Sequence, residues 1–329
     1  MLITPANLNI FFSSLDTLYA QAYTNAAVWN QQIATRYPTS TEQWVQGWIG
    51  MLDKLRPWVG ARITRTPAPQ TYGATVIPFE ATYSVDQFKI EDDQYGIYTP
   101  IAQFAGMQAA KWPDYNVRDL IQGNGIYAGG PQIGTDGVTH WNTAHPVDYY
   151  DASKGTYCND FGTAGVSVNG VTVGGSLSIA SYSTLWENMA SLKSESGEAL
   201  GLIPDMLMVP AQLNFPGKQL TQGNMFAPNT FAGVAATAVG SMDNPLRGST
   251  DLMMNPDIAS QPTAFYMLIT KWPIKPFGFV ERQAPTMVTR QSPTDPAVFD
   301  SHSFIWGVNG RGVATWALPF LSARSGIDA

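Results

Sequence analysis

Residues 79–122 change their hydrophobic period part-way along, and that switch constrains the chain more than any other stretch. Phe79, Ala81, Tyr83 and Val85 alternate with Glu80, Thr82, Ser84 and Asp86, the period of a strand with one apolar face. An acidic corner, Glu91-Asp92-Asp93, follows. Beyond it the apolar positions recur about every 3.6 residues, as on a helix. Thr99 is placed as the N-cap and Pro100 as the first helical residue, where a missing N–H costs nothing. Ile97, Ile101, Phe104, Ala105 and Trp112 fall on one side, and Val117, Leu120 and Ile121 extend the stripe to Gly123-Asn124-Gly125. Pro113, which cannot donate to the preceding turn, is expected to kink or restart this helix.

Upstream, residues 4–23 read as an amphipathic helix capped by Thr4-Pro5. Leu8, Phe11, Phe12, Leu15, Leu18, Tyr19 and Ala22 form its apolar face. Residues 24–43 show no clear period. Trp44, Trp48, Ile49, Leu52, Leu55 and Trp58 make an aromatic-rich second element, ended by Pro57 and Gly60. Two strand-like runs, 61–66 and 72–83, are joined by Pro67-Ala68-Pro69-Gln70, a long hairpin with a proline-stiffened tip. Such a ribbon is marginal by itself in water and needs a surface to lie on.

After the helix, residues 123–175 are rich in Gly, Asn, Asp and Thr. Asn169-Gly170, flanked by alternating residues 166–168 and 171–173, is a strong hairpin signal. A helix is expected over 182–192, a buried strand over 207–209, and a helix over 211–222 broken at Pro216-Gly217. Residues 265–270 and 277–282 read as strands, and 304–318 as a strand pair or one strand bent at Gly307, Gly310 and Gly312.

Composition bears on what surrounds the chain. Of 329 residues, 13% are charged while 44% are hydrophobic, and there are 10 Trp, 14 Tyr and 15 Phe. A charge fraction near half the usual ~25% fits a surface largely covered by copies of itself, with aromatic anchors. A neutral, β-rich enzyme fits these numbers equally well. Net charge is −7, so the basic footprint of tight nucleic-acid binding is absent. The single cysteine, Cys158, excludes an internal disulfide framework and any zinc site with several thiolates. The N-terminus lacks the pattern of a signal peptide and no run approaches a membrane span; a soluble cytoplasmic product is expected.

Catalytic motifs are scarce. His140 and His145, with Asp136, Asp148 and Cys158 nearby, form the best candidate metal cluster. Their spacing fits no helical ligand pair, and ordinary hydrogen bonding in a glycine-rich loop is the favoured reading. Glu91-Asp92-Asp93 could bind a cation; the favoured reading is acidic residues just before a helix N-terminus, paired to a neighbour's arginine. There is no Gly-x-Ser-x-Gly elbow and no phosphate-binding Gly-x4-Gly-Lys-Ser/Thr loop. No cofactor is expected.

Several stretches together resemble the Mu-like phage major head subunit (gpT) family, capsid proteins of the Hong Kong 97-type fold. They begin with Met1-Leu2-Ile3-Thr4-Pro5-Ala6-Asn7-Leu8, Trp48-Ile49-Gly50 and residues 55–62. Ile90-Glu91-Asp92-Asp93-Gln94-Tyr95-Gly96-Ile97-Tyr98 and His145-Pro146-Val147 follow. In the second half come residues 197–205 leading to Val209-Pro210, Asn244-Pro245-Leu246-Arg247-Gly248, Lys275-Pro276 with Arg282 and Pro285, and residues 296–299 with Gly307 and Arg311. They run in order almost from end to end, and the match is weakest over 126–179.

This resemblance implies an α+β, Hong Kong 97-type capsid fold. Residues 1–45 are then an N-terminal arm and 46–84 an extended β-hairpin loop lying over the adjacent subunit. Residues 85–128 and 264–318 are a peripheral domain built on a long spine helix, and 129–263 with 319–329 an axial domain. The function implied is that of a structural major capsid protein of a tailed double-stranded DNA phage or prophage, not an enzyme. It self-assembles into pentamers and hexamers of an icosahedral shell that expands on DNA filling. Separate scaffold and portal proteins are implied partners, and packaged DNA is enclosed without sequence-specific binding. The location implied is the virion, with assembly in the host cytoplasm and no membrane involved. Inter-subunit contacts are expected at Phe11, Phe12, Arg62, Arg65, Pro67, Pro69, Tyr72, Glu91, Asp92 and Asp93. The alternatives are the shell of a cellular nanocompartment with the same fold and, further off, a metal-dependent hydrolase using His140, His145 and Asp148.

Overall fold

A computed structural model describes residues 4–48, 70–92, 98–123, 134, 136–148, 151–162, 166–168, 171–173, 175–194, 197–226, 242–290, 292, 298 and 302–327. In chain order its main elements begin with helix α1 (Pro5–Asn25) and strands β1 (Ala34–Pro38), β2 (Gln43–Trp48), β3 (Gln70–Thr75) and β4 (Ile77–Asp86). The long helix α2 (Tyr98–Gly123), helix α3 (Ile179–Ala190), strand β5 (Met206–Val209) and helix α4 (Asn214–Gln222) follow. Strands β6 (Asp251–Met254), β7 (Phe265–Leu268), β8 (Phe277–Arg290), β9 (Ser303–Trp316) and β10 (Ser322–Ser325) complete the chain. Helices and strands are mixed and the sheets mainly antiparallel, the α+β class implied by the sequence. No helix among the described residues is long and apolar enough to cross a membrane.

Two four-stranded sheets carry the fold. The long sheet has the order β1-β8-β9-β4. β1 runs parallel to β8, Ala34 opposite Phe277 and Pro38 opposite Glu281. β8 and β9 are antiparallel, with register irregularities between Glu281 and Thr286, and β4 closes the other edge. The short sheet has the order β6-β5-β7-β10. Its strand β7 is buried on both faces. Tyr266 and Leu268 face a core shared with Phe277, Phe279, Ala314 and Trp316 of the long sheet and Val117, Leu120 and Ile121 of α2. Phe265 and Met267 face α3 through Tyr182, Leu185 and Met189. β9 of the long sheet passes through residues 317–321 directly into β10 of the short one.

α1 forms as its sequence dictates. Thr4 Oγ1 accepts the Asn7 N–H at 3.2 Å, and Leu8, Phe12, Leu15 and Tyr19 recur on one face. That face is buried against Ala102 and Ala105 of α2 and Phe304, Trp306 and Val308 of β9. The helices approach closely at Gly106, where a Cβ would lie 2.4 Å from the Tyr19 carbonyl oxygen.

The structure departs from the sequence expectations at identifiable points. α2 continues through Pro113 without a break and starts at Tyr98, so Thr99 and Pro100 lie in its first turn. The break is averted because the helix is held on both sides of the proline. Asn116 Nδ2 donates to the Trp112 carbonyl at 2.8 Å, and the Trp112 ring is wedged between Phe79 and Phe279, 5.2 and 5.1 Å away. Gly310 and Gly312 do not bend β9 into two strands; they make room for this indole, since a Cβ on Gly312 would lie 2.8 Å from it. α4 likewise survives Pro216, which sits in its first turn, where the N–H has no helical partner.

The sequence division also shifts. Ala34–Pro38, assigned to the arm, is an edge strand of the long sheet. Residues 265–268, grouped with the long helix, pair instead with Met206–Val209 and Ser322–Ser325. The hairpin is wider than expected. Gln43–Trp48, which includes Trp44 and Trp48 of the aromatic second element, pairs antiparallel with Gln70–Thr75. The expected strand at 61–66 and the proline tip lie outside the described residues, as does the Asn169-Gly170 turn.

Candidate functional site: the sheet junction and the exposed surfaces

The sequence's best candidate for chemistry, the His140 loop, lies where the two sheets meet. His140 is fully buried. Its ring stacks on Trp316, the last residue of β9, with centroids 3.8 Å apart and planes 7° from parallel. Its Nε2 is 2.7 Å from the Oγ of Ser322, the first residue of β10. Burial, with the neighbouring His145 and Arg324 charges, holds the imidazole well below its ordinary range, so it is neutral.

His145, also buried, bonds through Nδ1 to the Asp136 carboxylate. Its Nε2 points at the His140 carbonyl (2.8 Å) and Asn159 Oδ1 (3.1 Å). The Asn159 amide is oriented unambiguously, because Oδ1 accepts the Asn142 N–H at 2.9 Å and Nδ2 donates to His140 O at 2.7 Å. Both imidazoles therefore act as hydrogen-bonding groups that tie the loop down. Cys158 Sγ donates instead to the Asp160 carbonyl at 3.1 Å. Among the described residues no three His, Cys, Asp or Glu side chains are arranged to hold a metal ion.

The same loop is stitched to its surroundings by groups that sequence reasoning missed. Trp141 Nε1 donates to the Ile121 carbonyl of α2 at 2.8 Å. Arg324 pairs with Asp160 at 2.7 Å and lies 5.1 Å over the Trp141 ring. A second missed cluster anchors the segment after α1. The Asp114 carboxylate, on α2, accepts the Asn30 N–H and side-chain amide at 2.8 and 2.6 Å and the Trp29 N–H at 3.2 Å. The Trp29 indole donates to Asp257 at 2.8 Å.

Of the expected inter-subunit residues, Phe12 is buried within its own chain, edge-on to Phe304 at 6.2 Å. Phe11 is half-buried, edge-on to Tyr98 at 6.0 Å. Tyr72, at the base of the hairpin, is 6% exposed. Burial pushes its hydroxyl up to about 12, opposed by hydrogen bonds to Thr315 and the Trp316 backbone. Glu91 and Asp92 end and C-cap a short helix, Gln87–Glu91, so they do not directly precede the long helix, which begins at Tyr98. Arg62, Arg65, Pro67, Pro69 and Asp93 lie outside the described residues.

Comparison with known proteins decides the family. The model of the Mu-like prophage major head subunit gpT family matches residues 8–168 and 241–326. The chain belongs to that family. This gpT-family chain is 23% identical over 283 residues to the major capsid protein of Escherichia phage Mu, covering 69% of the chain and 93% of the relative. Its fold matches that of the procapsid of bacteriophage JBD30 with a TM-score of 0.54 at 23% identity, over 98% of this chain and 76% of that one. The capsid of the native GTA particle matches with a TM-score of 0.53 at 10% identity, over 91% and 90% of the two chains. The fold is therefore that of phage capsid subunits, the Hong Kong 97-type fold. The family match runs through the His140 loop and is interrupted at 169–240, later than the divergence expected over 126–179.

With the gpT subunit's body packed, large apolar side chains remain on its surface. Phe215 on α4 is 77% exposed, Ile10 on α1 69%, Phe104 on α2 61% and Val45 on the hairpin 61%. Ile10, Phe104 and Phe215 have helical neighbours that point inward, so these side chains lie on the exposed faces of their helices among the described residues.

Proposed function

We propose that copies of this major head subunit associate into pentamers and hexamers of an icosahedral shell that encloses the double-stranded DNA genome of a tailed phage or prophage. The observation that carries this reading is the pairing of a well-packed two-sheet body with Ile10, Val45, Phe104 and Phe215 exposed on a chain only 13% charged. Such side chains, spread over three helices and a ribbon, are ordered for contact with neighbours rather than for a small ligand. Head-to-tail contacts close into rings where the rotation between copies closes, as five- and six-fold assembly requires.

In this reading residues 1–33 form the arm and 43–75 the extended hairpin over the adjacent subunit. The long sheet with α2 is the peripheral part, and the short sheet with α3 and α4 the axial part. Arg62, Arg65, Pro67 and Pro69 at the hairpin tip contact the neighbour, with Glu91, Asp92 and Asp93 available to its arginines and Phe11 at the margin. Phe12 and Tyr72 serve their own subunit. Separate scaffold and portal proteins act with it in the host cytoplasm before the finished shell becomes part of the virion. DNA is confined rather than gripped, in keeping with a net charge of −7. Expression with and without candidate scaffolds, followed by electron microscopy, tests the proposal. Closed shells are the expected result; a chain that stays monomeric with every scaffold would sink it.

A further inference from the structure

We infer that His140 is an acid-sensitive pin between the two sheets, neutral when the junction is closed and charged when it opens. The inference concerns the folded subunit and does not rest on the shell function. Two contacts define the pin. The ring lies on Trp316, where the long sheet ends, and its Nε2 meets Ser322, where the short sheet begins. One imidazole thus spans residues 317–321, the direct covalent link between the sheets. Its backbone carbonyl is a second fastening, accepting from His145 Nε2 and Asn159 Nδ2 at 2.8 and 2.7 Å. Asn159 Nδ2 also reaches the carbonyl of Pro319, inside the link, at 3.2 Å.

What makes the pin sensitive is the charge around it. From the C-terminal strand it faces Arg324, whose carboxylate partner is Asp160. From its own loop it faces His145, whose partner is Asp136, and Tyr157 stacks on that ring at 5.0 Å. From the long sheet it meets the uncharged rings of Trp316 and Phe277. Tyr266 of the short sheet is packed beyond Trp141. Both carboxylates in this group are thus already engaged, and neither touches His140. The ring's Nδ1 is buried and, among the described residues, has no hydrogen-bond partner. A second ring proton would therefore be a buried, unpaired N–H on a cation flanked by Arg324 and His145.

The direction of the pH effect follows. Burial, then the charges of His145 and Arg324, depress the value of His140 in the closed state well below the ordinary 6.5. Above that ordinary value both open and closed forms are neutral and the pin contributes fully. As pH falls below it, the open form binds a proton that the closed form refuses, so opening is favoured by up to about tenfold per pH unit.

Cys158, the sole cysteine, sits in this loop and reports the opening in the full chain. Its rate of reaction with 4,4′-dithiodipyridine is measured from pH 7.5 to 5 and divided by the rate for the urea-unfolded chain at the same pH. In the wild type this ratio is expected to rise, by up to tenfold per pH unit below about 6.5. In His140→Gln, which keeps a polar partner for Ser322, and in His140→Phe, which keeps a flat ring on Trp316, it is expected to stay level. A level wild-type ratio, or the same rise in all three proteins, overturns the inference. Should neither variant fold, the ring carbon-13 shift of wild-type His140 decides: ordinary titration near 6.5 with no rise in Cys158 labelling overturns it.

Discussion

The imidazole of His140 lies flat on the indole of Trp316, 3.8 Å between centroids and 7° between planes, although 176 positions separate them in sequence. Trp316 also meets Phe277 and Trp141, at 5.7 and 5.8 Å, so four rings from three segments share one joint. Aromatic clusters of this kind combine large buried area with defined geometry. Trp316→Ala is expected to destabilise the chain by about 3–5 kcal/mol, the usual range for emptying a buried aromatic site. Trp316→Phe keeps a ring beneath His140 and should cost clearly less. Urea unfolding of the two variants checks the order.

The meeting of α1 with α2 turns on one missing side chain. A Cβ at Gly106 would stand 2.4 Å from the Tyr19 carbonyl oxygen and 3.0 Å from the Ala22 Cβ. The backbone of α1 must move to admit it. Gly106→Ala is therefore expected to lower stability by about 1–3 kcal/mol, despite alanine's better helix propensity. The opposite sign in a thermal melt would mean that α1 does not pack on α2 this closely.

Asp114 gives a prediction with a pH signature. Removing its oxygens in Asp114→Ala strands the backbone N–H groups of Trp29 and Asn30, at a cost of about 1–3 kcal/mol. Asp114→Asn retains an acceptor and should lose less. Burial raises this carboxyl above its ordinary 3.8, although hydrogen bonds from Asn30 and Trp29 oppose the shift. The folded chain thus holds the proton more tightly than the unfolded one. The wild type should gain on Asp114→Asn as pH falls through the raised folded value toward 3.8. A stability difference that is flat from pH 7 to 4 contradicts this account.

The pair Asp160–Arg324 is nearly enclosed, with side-chain exposures of 20% and 9%. Deleting one partner leaves the other charge buried and unbalanced, which typically costs about 3–5 kcal/mol in a fully buried setting. Asp160→Ala should fall at the lower end, since Asp160 keeps some contact with water. Calorimetry of this variant beside Arg324→Met tests the cause. Equal and small effects would show that the pair contributes little.

The hairpin separates an intramolecular base from a proposed intermolecular tip. Tyr72→Ala should destabilise the monomer by several kcal/mol, on the order of 3, because Tyr72 belongs to the core shared by both sheets. Deleting 61–69 should leave the thermal midpoint of the body unchanged and reduce the yield of closed shells. If the deletion lowers the midpoint as Tyr72→Ala does, the tip packs on its own subunit.

Much of this architecture could be read along the chain wherever the signal is local. The Thr4-Pro5 cap and the spacing of Leu8, Phe12, Leu15 and Tyr19 identify α1, and the alternation through Phe79, Tyr83 and Val85 identifies β4. Pro113 misleads because its effect is set by non-local packing: the wedge of Trp112 between Phe79 and Phe279, with two glycines of β9 beneath it. The parallel placement of Ala34 beside Phe277 leaves no trace in either segment. The His140 loop was the least readable stretch, since its partners Ser322 and Arg324 lie near the other end of the chain. Its histidines are conspicuous as residues, but what they do depends on neighbours that no spacing rule reaches. Asp114 was hidden more completely, as an acidic residue following a proline that itself attracts notice.

Part of what the first forty residues settle against is made long after they are. β1 takes its place against Phe277–Glu281, and α1 covers Phe304, Trp306 and Val308. During synthesis, at roughly 5–20 residues per second, these segments wait many seconds beyond their own emergence for the surfaces they cover. Until then the face of α1 that carries Leu8, Phe12 and Leu15 is covered in part, by Ala102 and Ala105 of α2, and lacks Phe304, Trp306 and Val308. A chain that has not yet reached Val308 lacks surfaces that α1 and β1 cover, so it is a poor partner for completed copies. Association between copies then waits on the late strands, and its timing is built into the order in which the chain is read.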